Sequence, residues 1–100
     1  MNNAFETMSD VLSARLHKPF DVTLTSRASS GYEWRPIYDS ASIRLIRKRH
    51  RMKSKGFGAA GQEVFEFEPL QTGDHAITFE LVRPVEGRSV EQRDFALHVT

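Results

Sequence analysis

Phe20-Asp21-Val22-Thr23-Leu24-Thr25 is the stretch that decides the fold, because every second residue in it is apolar. A period of two sets Phe20, Val22 and Leu24 on one face of an extended chain and Asp21, Thr23 and Thr25 on the other, the pattern of a half-buried strand. Upstream, Leu12, Ala14 and Leu16 alternate with Ser13, Arg15 and His17, and Lys18-Pro19 breaks the run. Downstream, Trp34 to Tyr38 predicts a short strand that Pro36 confines to a sheet edge or a bulge. Ser42 to Arg47 places Ile43, Leu45 and Arg47 on one face, with Arg44 and Ile46 on the other. Phe65 and Phe67 alternate with Glu66 and Glu68 until Pro69, and Thr72-Gly73-Asp74 is a turn. Ile77, Phe79 and Leu81 then share a face, as do Phe95, Leu97 and Val99 after the Glu86-Gly87-Arg88 turn. About seven short strands with turn signals between them predict an all-β fold, an immunoglobulin-like antiparallel sandwich.

The chain has 100 residues, enough for one domain with one modest core. That domain is expected over 10–100, after a flexible tail at 1–9. The alternative for the tail is a short helix, with Phe5, Met8 and Leu12 as its stripe and Asn2 or Asn3 as its cap. Cysteine is absent, which excludes disulfides, thiol catalysis and Cys-ligated zinc. No apolar run reaches membrane-spanning length, so no membrane partner is expected. Met1-Asn2-Asn3-Ala4-Phe5-Glu6 has neither the charged nor the apolar region of a secretion signal. That points to the cytoplasm, unless a leader has been trimmed from a periplasmic or secreted precursor. His17, His50, His75 and His98 are scattered without metal-ligand spacing, so no metal is expected.

Charge is nearly balanced overall but unevenly placed. Arg44, Arg47, Lys48, Arg49, Arg51, Lys53 and Lys55 fall in one segment that contains none of the 13 acidic residues. Such a run suits an acidic protein surface or nucleic acid phosphates. Nucleic acid is disfavoured, since the run lacks interleaved aromatics for base stacking and Phe57 only closes it. The plainer reading is a solvated edge hairpin whose charges discourage sheet-to-sheet pairing. On that reading, changing Arg47, Lys48 and Arg49 to serine leaves the fold almost unchanged.

Three loop signatures stand between the strands. They are Ser29-Ser30-Gly31-Tyr32-Glu33-Trp34, Gly56-Phe57-Gly58-Ala59-Ala60-Gly61 and Arg83-Pro84-Val85. None holds an obvious nucleophile, base or metal cage, and loops on a rigid β scaffold commonly form a binding surface. The glycines of the second signature lack the lysine and following helix of a phosphate loop. Ser29, Ser30 and the histidines have no nucleophile elbow or oxyanion motif around them, so an enzyme is not expected. No small-molecule substrate and no cofactor follow from these residues.

Together these loops resemble those of the chagasin-type inhibitors of papain-like cysteine proteases. That family carries an Asn-Pro-Thr-Thr-Gly-Tyr loop, a Gly-x-Gly-Gly loop and an Arg-Pro-Trp or Arg-Pro-Phe loop on an immunoglobulin-like sandwich. The first corresponds to Arg27-Ala28-Ser29-Ser30-Gly31-Tyr32, with the family's tryptophan two positions on at Trp34. The second corresponds to Gly58-Ala59-Ala60-Gly61 and the third to Arg83-Pro84-Val85, and the resemblance runs roughly from Leu12 to Val99. It implies a wedge: loop one enters the protease cleft, the other two grip its rims, and neither cleavage nor a cofactor is involved. An alternative is a diverged domain of this fold that docks an acidic protein through 44–55.

The departures from the family pattern bear on affinity. Arg27-Ala28 replaces Asn-Pro and removes the proline that stiffens the loop entry. Ser29-Ser30 keeps the hydroxyls of Thr-Thr without their β-branched rigidity. Ala60 in place of glycine requires a negative φ. Val85 replaces the aromatic anchor, a loss of about 2 kcal/mol or roughly thirty-fold in affinity at a typical interface. Gly31 is expected at positive φ and Trp34 in the core. Tyr32 either packs under its loop or touches a partner. Arg83 reaches a partner carboxylate or pairs internally with Glu86 or Glu33.

Overall fold

Each alternating run becomes a strand: β1 (Ser9–Ala14), β2 (Phe20–Thr25), β3 (Glu33–Ile37), β4 (Ile43–Arg51), β5 (Gln62–Pro69), β6 (Gly73–Arg83) and β7 (Arg88–Val99). The structure is a computed structural model, and it describes residues 9–52 and 61–100. The strands form two sheets, one ordered β1-β7-β6-β3 and the other β2-β5-β4. Their inner faces meet as an immunoglobulin-like β-sandwich. Val22, Leu24, Ile43, Phe65 and Phe67 come from the three-stranded sheet, and Trp34, Ile77, Phe79, Leu81, Phe95, Leu97 and Val99 from the other. Phe79 sits at the centre, 4.9 Å from Phe65, 6.3 Å from Phe67 and 5.5 Å from Phe95 between ring centroids. Tilted and edge-on geometry of this kind adds to the burial of the rings themselves.

Three local expectations need correction. The pairing is antiparallel except for β1, which lies parallel to β7 with Leu12 opposite Leu97. The first and last strands have no tight hairpin between them, so nothing forces them to run in opposite directions. The first strand ends at Ala14 and does not reach His17, whose φ of 63° turns the chain toward Lys18 and Pro19. Leu16 nevertheless packs against the core from this turn.

The third correction concerns β4. A bulge between Leu45 and Arg47 leaves Ile46 without an opposite residue, so Arg47 faces Glu66 and not the core-facing Phe65. An inserted residue reverses the alternation beyond it. Lys48, opposite Phe65, inherits the inward position, and His50 lies opposite Glu63. As expected, the strand holding Pro36 is a sheet edge, and so is β4.

Candidate functional site

Loop 1, residues 27–32, leaves β2 and enters β3 through one turn of 3-10 helix at Ala28–Ser30. Its entry lacks proline, yet the loop is closed from within, contrary to the looseness that substitution suggests. Ser30 N–H and Tyr32 N–H both donate to the Arg27 carbonyl, at 3.1 and 3.2 Å. Gly31 N–H donates to the Ala28 carbonyl at 2.9 Å, and the buried Ser26 hydroxyl accepts from Ala28 N–H at 3.2 Å. Gly31 has φ of 85°, the left-handed region that glycine enters without a Cβ penalty. At the base, the Trp34 indole N–H donates to the Thr25 carbonyl at 2.9 Å, tying the two strands that flank the loop. Trp34 is core, as expected.

Loop 1 is joined to both other loops. Ser26 N–H donates to the Gly61 carbonyl at 2.8 Å, which links it to the end of the second signature. A Cβ on Gly61 would lie 2.9 Å from His50 Cε1 and 3.0 Å from the Arg51 carbonyl oxygen, so this glycine permits the close approach. Gly58, Ala59 and Ala60, and with them the expected φ of Ala60, lie outside the described residues, as do Lys53 and Lys55. On the other side, Arg83 lies over the Tyr32 ring at 4.8 Å and donates to the Ser30 carbonyl at 3.3 Å. It also pairs with Glu86 at 3.2 Å, whereas Glu33 pairs with Arg35 at 2.8 Å. Arg83 is thus engaged internally, and Tyr32 packs against the core beneath it.

What remains outward at this end is small, polar or apolar. Ser29 and Ser30 are exposed, and among the described residues neither hydroxyl has a hydrogen-bond partner. Val85, at the tip of loop 3 (83–87), is 94% exposed, Val90 just beyond it 50%, and Met52 at the stem of loop 2 (56–61) 73%. Loop 3 is a tight turn in which Glu86 N–H and Gly87 N–H both donate to the Arg83 carbonyl, with Gly87 at φ of 68°. Three contributors were not visible as such in the sequence. Glu91 pairs with Arg27 at 3.2 Å across 64 positions, and no local pattern announces such a contact. Val90 owes its place to a β7 irregularity opposite Leu81 and Val82. Ser26 is signalled only by a hydroxyl two residues before Ala28.

The described part of the basic run, Arg44 to Arg51, lies along β4, and its far end reaches the loops: Lys48, Arg49 and His50 line one cavity with Ala28, Gly31 and Tyr32 of loop 1. Arg44 Nη2 is 2.6 Å from Glu68, Arg47 Nε 2.7 Å from Glu66, Lys48 Nζ 3.2 Å from Glu63 and Arg49 Nη2 3.2 Å from Asp21. The Arg44 hydrogen bond holds the Glu68 carboxyl below its ordinary range, with His17, 3.4 Å away, adding to the effect against partial desolvation. Glu63 is different in kind, being only 3% exposed. Among the described residues its Oε1 has no hydrogen-bond partner, and the Lys48 ammonium offsets its charge by proximity without being aligned to donate. Arg51 is exposed. Among the described residues no three His, Cys, Asp or Glu side chains are placed to hold a metal ion.

A small β-sandwich whose loops 1 and 3 meet at one end belongs to the broad class of loop-presenting binding domains. Its family can be stated. The family model described as chagasin family peptidase inhibitor I42 matches residues 13–99, and the chain belongs to that family. Its members inhibit peptidases and are not enzymes. The fold is similar to that of a cysteine protease inhibitor from Entamoeba histolytica, with a TM-score of 0.72 and 18% identity over 92% of this chain and 96% of that one. It is also similar to the solution structure of amebosin, with a TM-score of 0.65 and 17% identity over 90% of this chain and 88% of the other. No curated protein matches the sequence.

Proposed function

We propose that this protein reversibly inhibits papain-like cysteine proteases by seating loop 1 in the active-site cleft and gripping its rims with loops 2 and 3. The loop residues concerned are Arg27, Ala28, Ser29, Ser30, Gly31 and Tyr32, then Gly58, Ala59, Ala60 and Gly61, then Pro84 and Val85, with Arg83 behind them holding loop 1. The observation that carries this reading is the state of loop 1, closed by its own hydrogen bonds with Ser29 and Ser30 facing out. A loop already ordered gives up little conformational freedom on binding. A 3-10 turn is also a poor substrate backbone, since it is not the extended chain that a protease cleft aligns for cleavage. Met52, Val85 and Val90 give the flanks exposed apolar surface, which supports contact with cleft walls.

Titration of papain with a fluorogenic substrate tests this. The expected result is reversible inhibition that recovers on dilution, with the inhibitor intact by mass spectrometry. Val85→Trp should tighten it about tenfold by restoring the aromatic anchor. No inhibition at high micromolar concentration, by the natural sequence and by Val85→Trp alike, contradicts the proposal.

A further inference from the structure

Arg83 stands in the loop where an arginine aimed at a partner would be sought, yet its guanidinium is engaged at three points by this domain, although the side chain remains 40% exposed. One face covers the Tyr32 ring at 4.8 Å, Nη2 donates to the Ser30 carbonyl at 3.3 Å, and Nη1 reaches Glu86 at 3.2 Å. Its Nε edge lies beside Gly31, where an added Cβ would come within 3.8 Å. Three consecutive residues of loop 1 therefore meet one side chain from loop 3. A planar fork can stack on a ring and donate from its edge at once, which a point-charge ammonium cannot do. Glu86 secures the fork from behind, and its own backbone is fixed by the turn that closes on the Arg83 carbonyl.

We infer that Arg83 is a positioning residue: it sets the shape of loop 1 before any partner arrives and does not itself contact the partner. The consequence for inhibition rests on the function proposed above, whereas the ordering of loop 1 belongs to the free protein and is measured there. The two can therefore fail separately.

The experiment combines backbone 15N relaxation of Ser29 to Tyr32 in the free protein with papain inhibition constants. The variants are Arg83→Ala, Arg83→Lys, Tyr32→Ala and the Arg83→Ala/Tyr32→Ala double change. Arg83→Ala should leave cooperative unfolding intact, raise fast motion at Ser30 and Gly31, and weaken inhibition about tenfold, since a stacked cation and a charged hydrogen bond are lost together. Lysine should not restore either property. In the Tyr32→Ala background, removing Arg83 should add little, because both changes release the same loop. Unchanged loop 1 relaxation in Arg83→Ala overturns the inference. So does restoration by lysine, or an undiminished Arg83→Ala effect in the Tyr32→Ala background, which would mean direct contact with the protease. If the natural sequence leaves papain fully active, the proposed function fails while relaxation still decides the positioning role.

Discussion

The loop end and the β4 ladder are both marked in the sequence by unusual composition, and the structure treats them in opposite ways. At the loop end, buried or inward groups such as Ser26, Trp34 and Arg83 hold the backbone, leaving Ser29, Ser30 and Val85 facing outward. Along β4, the conspicuous side chains are themselves taken up: Arg44, Arg47, Lys48 and Arg49 each meet a carboxylate from β5 or β2. A charge run along the chain becomes a charged patch only if its neighbours across the sheet fail to balance it. Here Glu68 and Glu66 on β5 stand opposite Arg44 and Arg47, and Glu63 lies diagonal to Lys48, so the sheet register brings opposite signs together.

The largest expected effect breaks the scaffold under the loops. Trp34→Ala empties a buried site and removes the tie to Thr25, and should cost about 3–5 kcal/mol in denaturant unfolding. Trp34→Phe should cost about 1–2 kcal/mol, with loop 1 amides exchanging faster than those of β6. Equal loss of protection everywhere would mean that the tie is not specific to the loop.

The ladder divides at Lys48. Lys48→Ser leaves the Glu63 carboxylate buried without a counter-charge and should destabilise the domain by about 1–3 kcal/mol in chemical denaturation. Arg47→Ser and Arg49→Ser, each losing an exposed pair, should cost about 0–1 kcal/mol. The triple change is therefore expected to cost more stability than the charge run alone suggested, chiefly through Lys48. Three equal effects would remove the distinction.

The smallest effect is electrostatic and tied to pH. Glu68 has a lowered folded pKa, so its contribution is complete above the ordinary carboxylate range and fades as pH falls through the folded value. Arg44→Met should bring the Glu68 pKa back toward its ordinary value in a carboxyl 13C NMR titration. The acid side of the stability profile should flatten with it. An unmoved Glu68 titration would assign the shift to something other than Arg44.

Much of the fold was legible because alternation is a local property. Phe20, Val22 and Leu24, or Ile77, Phe79 and Leu81, need only their own strand to declare a buried face. The Ile46 bulge was not legible, since an extra residue in one strand is defined only against its partner, and it moved Arg47 off the face its spacing implied. The positive φ of Gly31 and the core place of Trp34 could be read from turn chemistry and residue type. The clasp of Arg27 by Glu91 and that of loop 1 by Arg83 could not, because they join residues 64 and 53 positions apart. The counter-charges of β4 were present in the sequence all along, but only the pairing register shows that they meet.

The most direct test of the account is amide hydrogen exchange of this protein bound to papain, compared with the free protein. Protection should appear at residues 27–32, at Gly61 and at 83–87, with Arg44 to Arg47, at the far end of β4, unchanged. Protection along β4 with the loop end unaffected would contradict it.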